Sequence, residues 1–350
     1  MMGGVENHVQ QISTRLAHAG VQVTIVTCDP YGNLPERESI DEVEVRRVRS
    51  YPKGSDLYFA PAIWRVVREG TWDIVHCENY LSLVAPLAML AARRSHVPYV
   101  VTFHGGGHSS PRRNRIRGMQ RRVLRPLLAR AAVLHATAEF EMVQFGDDLS
   151  ISRDKFVYAP NGSDLTAIDP AARARIQGSL IISAGRLERY KGHHRAIAAL
   201  PTVLAQRPDA RLRIAGSGPY EGELRALSER LGVADAVEIR AAPSSEAFAA
   251  ELPEAALVVL LSEYETHPMA VLEALAMGRP TLVADTSGLS ELAAKGWVTA
   301  VPLDAAPAQV GHAILEQLKS PLVPGSIDLP TWDDCANELH RAYLRALGRA

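Results

Sequence analysis

Four side chains in the second half of the sequence have the types and spacing to hold a dianion and a polyol together. Glu265 and Glu273 bracket the start of an expected helix, Glu265-Thr266-His267-Pro268-Met269-Ala270-Val271-Leu272-Glu273, which runs on to Gly278-Arg279-Pro280. Pro268 suits the first helical turn, Gly278 suits the stop, and Thr266 or His267 can cap the free amides. Such a helix start presents unpaired N–H groups and a partial positive charge, which suits a phosphate or diphosphate. Glu273 lies about a turn and a half further in, roughly 7 to 8 Å along the axis at 1.5 Å per residue. Carboxylates before and beyond a bound phosphate could grip hydroxyls on either side, as a nucleotide sugar would require. A capped surface helix with two incidental carboxylates has the same pattern. Arg186 and Lys191 follow the apolar run Leu180-Ile181-Ile182-Ser183-Ala184 and Gly185. Arg grips phosphate bidentately and Lys adds a point charge, and both neutralise charge that develops as a glycosidic bond to phosphate breaks. The sequence contains no Asp-x-Asp triplet, so a metal-clamped diphosphate is not indicated, and these two cations could take the metal's role.

The elements that must position these residues alternate along the chain, as a parallel sheet demands. The pattern predicts strands over Val21–Thr27, Val43–Val48, Ile74–His76, Tyr99–Phe103 and Ala132–Ala136, then a restart at Leu180–Ala184, Leu212–Ala215, Val237–Ile239, Ala256–Leu261 and Thr281–Val283. Helical spacing is predicted between them, over Val5–Ala19, Pro61–Arg68, Leu81–Arg94, from Glu139, over Tyr220–Leu231 and Ser245–Leu252, and at the end over Trp332–Leu347. Gly216-Ser217-Gly218 invites a dinucleotide reading, but Glu221 occupies the third glycine position, and a tight strand-to-helix turn is the better reading. His104, followed by Gly105-Gly106-Gly107-His108, stands where open α/β sheets bind ligands at the carboxyl end of a strand. A lone histidine at such a place also serves as a packing residue. Gly3 and Gly4 precede a helix and let backbone approach a ligand, or they are a plain loop pair.

Composition sets the frame. At 350 residues the chain has room for two domains. A formal net charge of −1 argues against a general nucleic-acid binder. Cys28, Cys77 and Cys335 are too few and too scattered for a disulfide framework, so a reducing cytoplasm is expected. No apolar run reaches the 18 or more residues of a membrane span. Arg- and Ala-rich usage fits a high-GC bacterial genome. A basic segment carries Arg112, Arg113, Arg115, Arg117, Arg121, Arg122, Arg125 and Arg130, with no acid between Pro111 and Ala138 and an apolar stripe beside it. Pro126 is expected to kink or split that helix. The segment could lie peripherally on an anionic membrane or hold a phosphorylated acceptor, or it is a solvated face over a packed stripe.

The glutamate motif on a strand-turn-helix with its Gly-Arg-Pro exit, joined by Arg186 and Lys191, resembles the donor site of retaining GT-B glycosyltransferases. The closer resemblance is to the family 4 group, the glycosyl transferases group 1. It implies an α/β chain of two Rossmann-like domains facing a central cleft. Residues 1–165 would form the acceptor-side domain, residues 166–330 the nucleotide-sugar domain, and residues 331–350 a C-terminal helix crossing back to the first. The family has a central strand before the glycine pair, which this sequence lacks, and a truncated start is the expected reason. Pro160-Asn161-Gly162-Ser163-Asp164 and Gly288-Leu289-Ser290-Glu291 match further family positions. By resemblance, Gly3 and Gly4 face the donor diphosphate, and Pro268, Met269 and Ala270 line it. Arg186 and Lys191 stabilise the leaving group, Glu265 holds sugar hydroxyls, Glu273 the ribose, and His104 positions the sugar. Glu6, Asn7 and His8, with Arg112 and Arg113 of the basic segment, would lie toward the acceptor. The family's usual Glu-Gly-Phe-Gly turn is replaced here by Glu265-Thr266-His267-Pro268, which leaves the sugar open. The expected reaction is transfer from a UDP- or GDP-sugar to a lipid-linked, polysaccharide or small-molecule acceptor, with no metal or other cofactor. A nucleotide-sugar epimerase or hydrolase of the same fold, or a silent nucleotide-binding partner protein, are the alternatives.

Overall fold

The computed structural model describes residues 4–53, 58–105, 111–162, 178–241, 245–325 and 327–349, with residues 4, 111–115, 245 and 246 described by backbone alone. Gly3 lies outside the described residues, as do the side chains of Arg112 and Arg113. The chain divides into two compact bodies. One gathers Met2–Gly105, Arg112–Gly162 and Pro330–Ala350, and the other is essentially Ser163–Leu329.

The first body opens with helix α1 (Gly4–His18), then strands β1 (Thr24–Cys28), β2 (Arg37–Ile40) and β3 (Val43–Val48). Helix α2 (Ala62–Glu69), strand β4 (Val75–Glu78), helix α3 (Val84–Arg94) and strand β5 (Tyr99–Thr102) follow. Helix α4 (Pro111–Leu128), strand β6 (Val133–Ala136), helix α5 (Glu139–Leu149) and strand β7 (Phe156–Tyr158) complete the run. The strands make two sheets, β1-β3-β2 and an all-parallel β4-β5-β6-β7. Every residue of β5 and β6 is buried, as expected for parallel strands covered on both faces. Among the described residues β1 pairs only with β3 and β4 only with β5, although Val26, Cys28 and Val48 pack on the same core as Cys77 and Phe103. That core is partly aromatic, with Phe103 stacked on Phe145 at 4.0 Å between ring centroids. The basic helix is not split at Pro126, as one of the two expected outcomes had it, but runs as a single helical span. Pro126 falls in its last turn, two residues before the helix ends.

The second body carries β8 (Leu180–Ala184), α6 (His193–Leu204), β9 (Arg211–Ala215), α7 (Glu221–Arg230), β10 (Val237–Arg240) and α8 (Ser245–Ala249). It continues with β11 (Leu257–Leu260), α9 (Met269–Ala276), β12 (Thr281–Asp285), α10 (Ser287–Ala294), β13 (Thr299–Pro302) and α11 (Pro307–Lys319). Its six strands form one parallel sheet in the order β10-β9-β8-β11-β12-β13. The order reverses direction between β8 and β11, the place where open α/β sheets leave a crevice at the strand carboxyl ends. The loops after those two strands carry Arg186, Lys191 and Glu265.

The last helix, α12 (Trp332–Ala346), returns to the first body. A capping box starts it: Thr331 Oγ1 accepts from the Asp334 N–H at 3.1 Å, and the Asp334 carboxylate accepts from the Thr331 N–H at 2.9 Å. Trp332, Cys335, Ala336, Leu339, Ala342 and Tyr343 recur at helical spacing and bury against Ile12 and Leu16 of α1. Gly162 passes so close to the Thr331–Trp332 backbone that any Cβ there would overlap it.

Candidate functional site

In the second body the two predicted cations and the first glutamate converge. Lys191 Nζ lies 2.6 Å from Glu265 Oε1, and the Ser262 hydroxyl donates to the same oxygen at 2.7 Å. The Glu265 N–H donates to Ser287 Oγ at 2.8 Å, and the Gly288 N–H donates to the Glu265 carbonyl at 2.9 Å. These bonds fix the carboxylate at the head of the loop between β11 and α9. Arg186 donates through NH2 to the Tyr190 hydroxyl at 2.8 Å, while Lys191 Nζ sits 5.4 Å from the Tyr190 ring centroid. Tyr190 is thus the common wall of both cations. Gly192, at φ +74°, lets the chain turn from Lys191 into α6 against the Leu261 carbonyl, where a Cβ would collide.

Beneath this cluster His193 is fully buried. Its Nε2 lies 3.3 Å from the Arg186 carbonyl, which can only accept, so Nε2 carries the hydrogen and Nδ1 accepts from the Ser183 hydroxyl at 2.8 Å. Burial lowers its pKa to about 4, so the ring stays neutral and ties the Arg186 backbone to β8. Glu273 is buried in α9, one face of which is apolar throughout. The capping expectation is corrected. Pro268 itself, rather than Thr266 or His267, stands at the N-cap position, and the Met269 N–H donates to the His267 carbonyl at 2.9 Å. Proline has no N–H to be capped, so the chain turns one residue later than the sequence implies. Met269 and Ala270 then form the first turn, as placed by the sequence.

In the first body His104 is not solitary. It follows β5 at φ +41°, a left-handed backbone that costs a non-glycine residue on the order of 1 kcal/mol or more and concentrates at functional sites. Its Nε2 lies 2.6 Å from Glu78 Oε2. Glu78 is the last residue of β4, and its other oxygen lies 3.8 Å from His8 Nε2 and 3.5 Å from His76 Nδ1. His8, on α1, is fully buried and hydrogen-bonds through Nδ1 to Asn161 Oδ1 at 2.6 Å. A chain of bonds fixes the remaining tautomers. His135 Nε2 donates to the Ala159 carbonyl at 2.7 Å, so its Nδ1 accepts from the Thr102 hydroxyl at 2.9 Å. Thr102 Oγ1 then accepts from His76 Nε2 at 2.7 Å, and His76 Nδ1 accepts from the Tyr343 hydroxyl at 2.6 Å. Burial pushes His8 to about 4, His135 to about 3 and His76 downward, while it pushes the Tyr343 phenol up. Burial would raise the Glu78 carboxyl, yet it is held well below its ordinary value, and the hydrogen bond from His104 is the contact that favours its ionised form. The Gly105 N–H, next after His104, donates to buried Glu141 at 3.1 Å, and Glu141 also receives the Thr137 N–H at 2.9 Å.

The predicted residues therefore fall into two groups, one in each body. Arg186, Lys191 and Glu265 come together, with Glu273 on the adjoining helix, and His8 joins His104. Glu6 is exposed on α1 and has no part in the hydrogen bonds around His104. The sequence reading missed Tyr190, His193, Ser262 and Ser287 in one group and Glu78, His76, His135, Glu141 and Tyr343 in the other. Of these, only the pair His193-His194 directly after Lys191-Gly192 offered a sequence signal. His8, Glu78 and His104 are also the described residues whose ligand types could hold a metal ion, their ligand atoms lying within 4.8 Å of one another. An ion there would have to displace the 2.6 Å bond between His104 and Glu78.

Two α/β bodies built largely on parallel strands, one with a paired lysine and glutamate at its sheet switch point, define a GT-B glycosyltransferase fold. The chain belongs to that family: residues 3–162 match the glycosyl transferase 4-like domain and residues 168–321 match the glycosyl transferases group 1. It is 30% identical to the glycogen synthase of Mycobacterium tuberculosis, over 87% of this chain and 80% of that one. It is 28% identical to the D-inositol 3-phosphate glycosyltransferase of Nocardiopsis dassonvillei, over 84% of this chain and 76% of the relative. The Anabaena protein HepE, solved in complex with UDP and glucose, superposes with a TM-score of 0.68 at 18% identity, covering all of this chain and 92% of that one. Among the described residues no helix is long and apolar enough to cross a membrane.

Proposed function

We propose that this glycosyltransferase transfers a hexosyl unit from a UDP- or GDP-sugar with retention of configuration and without a metal ion. The observation that carries the reading is the convergence of Arg186, Lys191 and Glu265 around Tyr190. Lys191 exchanges Glu265 for the incoming diphosphate, and the released carboxylate accepts sugar hydroxyls. Arg186 adds its bidentate fork, and the two cations lower the barrier by offsetting charge on the departing phosphate. Glu273 takes the ribose hydroxyls, and His104 keeps the sugar-positioning role that the family resemblance gives it. The bond from the anomeric carbon to the phosphate oxygen breaks as the acceptor oxygen attacks from the same face. The acceptor's proton passes to the leaving phosphate, so no covalent sugar–enzyme intermediate is needed. UDP is the favoured nucleotide, supported by the UDP bound to the Anabaena protein.

The acceptor is a lipid-linked sugar, a polysaccharide or a small polyol. The lipid-linked class is favoured by Ile116, Met119 and Val123, exposed at helical spacing on α4 beside Arg122. Incubation with UDP-glucose and GDP-mannose, with proton NMR of the product's anomeric coupling in EDTA, tests the reading. Retained configuration in the chelator supports it. An inverted product, or turnover that needs an added divalent ion, overturns it.

A further inference from the structure

Glu78 belongs to none of the motifs that define the family resemblance, yet His8, His76 and His104 converge on it. An ionised carboxylate only accepts hydrogen bonds. His8 spends its Nδ1 hydrogen on Asn161, and His76 spends its Nε2 hydrogen on Thr102. The nitrogens these two rings turn toward Glu78 therefore carry lone pairs, at 3.8 and 3.5 Å. His104 is left as the ring that can donate to the carboxylate, at 2.6 Å. That bond fixes His104 as the Nε2–H tautomer, with its lone pair on Nδ1. The backbone is held on the other side, where the Gly105 N–H is tied to Glu141.

We propose that Glu78 is a positioning residue that acts through His104, locking the imidazole so that Nδ1 is the atom presented to substrate. The kinetic consequence rests on the reading of His104 as a substrate-contacting residue; the tautomer does not. His104 donates to a single carboxylate, so removing that charge without changing shape is the informative perturbation. In Glu78→Gln the amide can turn either its oxygen or its nitrogen to the ring, and the lock is lost.

Two measurements on the full chain test this. Long-range proton–nitrogen NMR of histidine-labelled protein reads the His104 tautomer directly. The Nε2–H form is expected in the native chain, with Nδ1–H signal appearing in Glu78→Gln. UDP-glucose hydrolysis reads function without needing the acceptor. Glu78→Gln is expected to lower kcat on the order of 10- to 100-fold with little change in KM, the scale on which loss of a supporting partner disables an imidazole. Glu78→Asp, which keeps the charge, should recover part of that loss. In a His104→Ala background Glu78→Gln should cost less than about 2-fold, because residues acting as one unit are not additive. A native Nδ1–H tautomer, or an undiminished cost of Glu78→Gln beside His104→Ala, overturns the proposal. Should Glu78→Gln fail to fold by circular dichroism, the Glu78→Asp pair gives the same cycle. Absence of hydrolysis in every form counts against the proposed donor reaction and leaves the NMR result to decide Glu78.

Discussion

The two bodies solve the placement of polar chemistry in opposite ways. In the second body Lys191 and Glu265 are an ion pair with side chains 17% and 11% exposed, carried on the loops after two strands that are neighbours in the sheet. In the first body histidines drawn from α1, β4 and the end of β5 surround a single carboxylate, His135 of β6 joins them through Thr102, and the cluster is closed by Tyr343 of α12. Charged partners at a loop mouth can exchange each other for a dianion, because water and ligand both compete for them. Neutral rings inside a sheet edge cannot be exchanged without breaking the hydrogen-bond chain, so they serve to fix geometry.

The sharpest way to separate the bodies is to damage the packing of one alone. Leu339 is fully buried between α12 and α1, and Leu339→Ala should cost about 3 to 5 kcal/mol, read by denaturant unfolding. Two transitions are expected, of which only the one belonging to the first body moves. A single shifted transition would show that the bodies unfold as one.

Next in size is the exchangeable pair. Lys191→Ala should lower turnover of UDP-glucose by ~10²-fold or more, in line with the loss of one donor to a developing anion. Thermal stability should fall as well, because Lys191→Ala leaves the Glu265 carboxylate, with a side chain 11% exposed, without its cation. Unchanged turnover would break the assignment.

The buried rings should respond to acid. His8 has a folded pKa of about 4, below its unfolded value of about 6.5, so the unfolded chain binds the extra proton first. The stability His8 contributes is present above pH 6.5 and is lost as pH falls from there toward 4. His135, at about 3, acts in the same direction, as do His193 and His194 of the second body at about 4. Replacing His8 with Gln should flatten the pH dependence of the first body's unfolding by on the order of 2 kcal/mol across that window. A slope that His8→Gln leaves untouched would show that this ring is not held neutral by its surroundings. The smallest effect expected is the loss of the α12 cap. Thr331→Ala should cost about 1 kcal/mol in the same body, against no change in nucleotide binding to the other.

The legibility of the sequence divides along the same line. Arg186 and Lys191 lie within one strand-turn-helix, Glu265 and Glu273 within another, and a parallel sheet with its switch point supplied the rest. Apolar runs such as Val100-Val101 and Val258-Val259 marked the buried strands because parallel strands are covered on both faces. β2 was invisible because Arg37-Glu38-Ser39-Ile40 is an exposed edge strand without an apolar face, and β7 is only three residues long. Glu78 could not be read because β4 runs two residues past the predicted His76, and its partners lie elsewhere in the chain. Long-range hydrogen bonds leave no local period. Asn161, which the sequence marked only as a family position beside Gly162, holds His8.

The central claim is that the second body binds a nucleoside diphosphate through Arg186 and Lys191. Calorimetric titration of the chain with UDP, GDP, dTDP and NAD tests it most directly. The account predicts binding of one nucleoside diphosphate, UDP first, with no binding of NAD and loss of the heat signal in Arg186→Ala. Failure to bind any of the diphosphates, or binding that Arg186→Ala leaves intact, would contradict it.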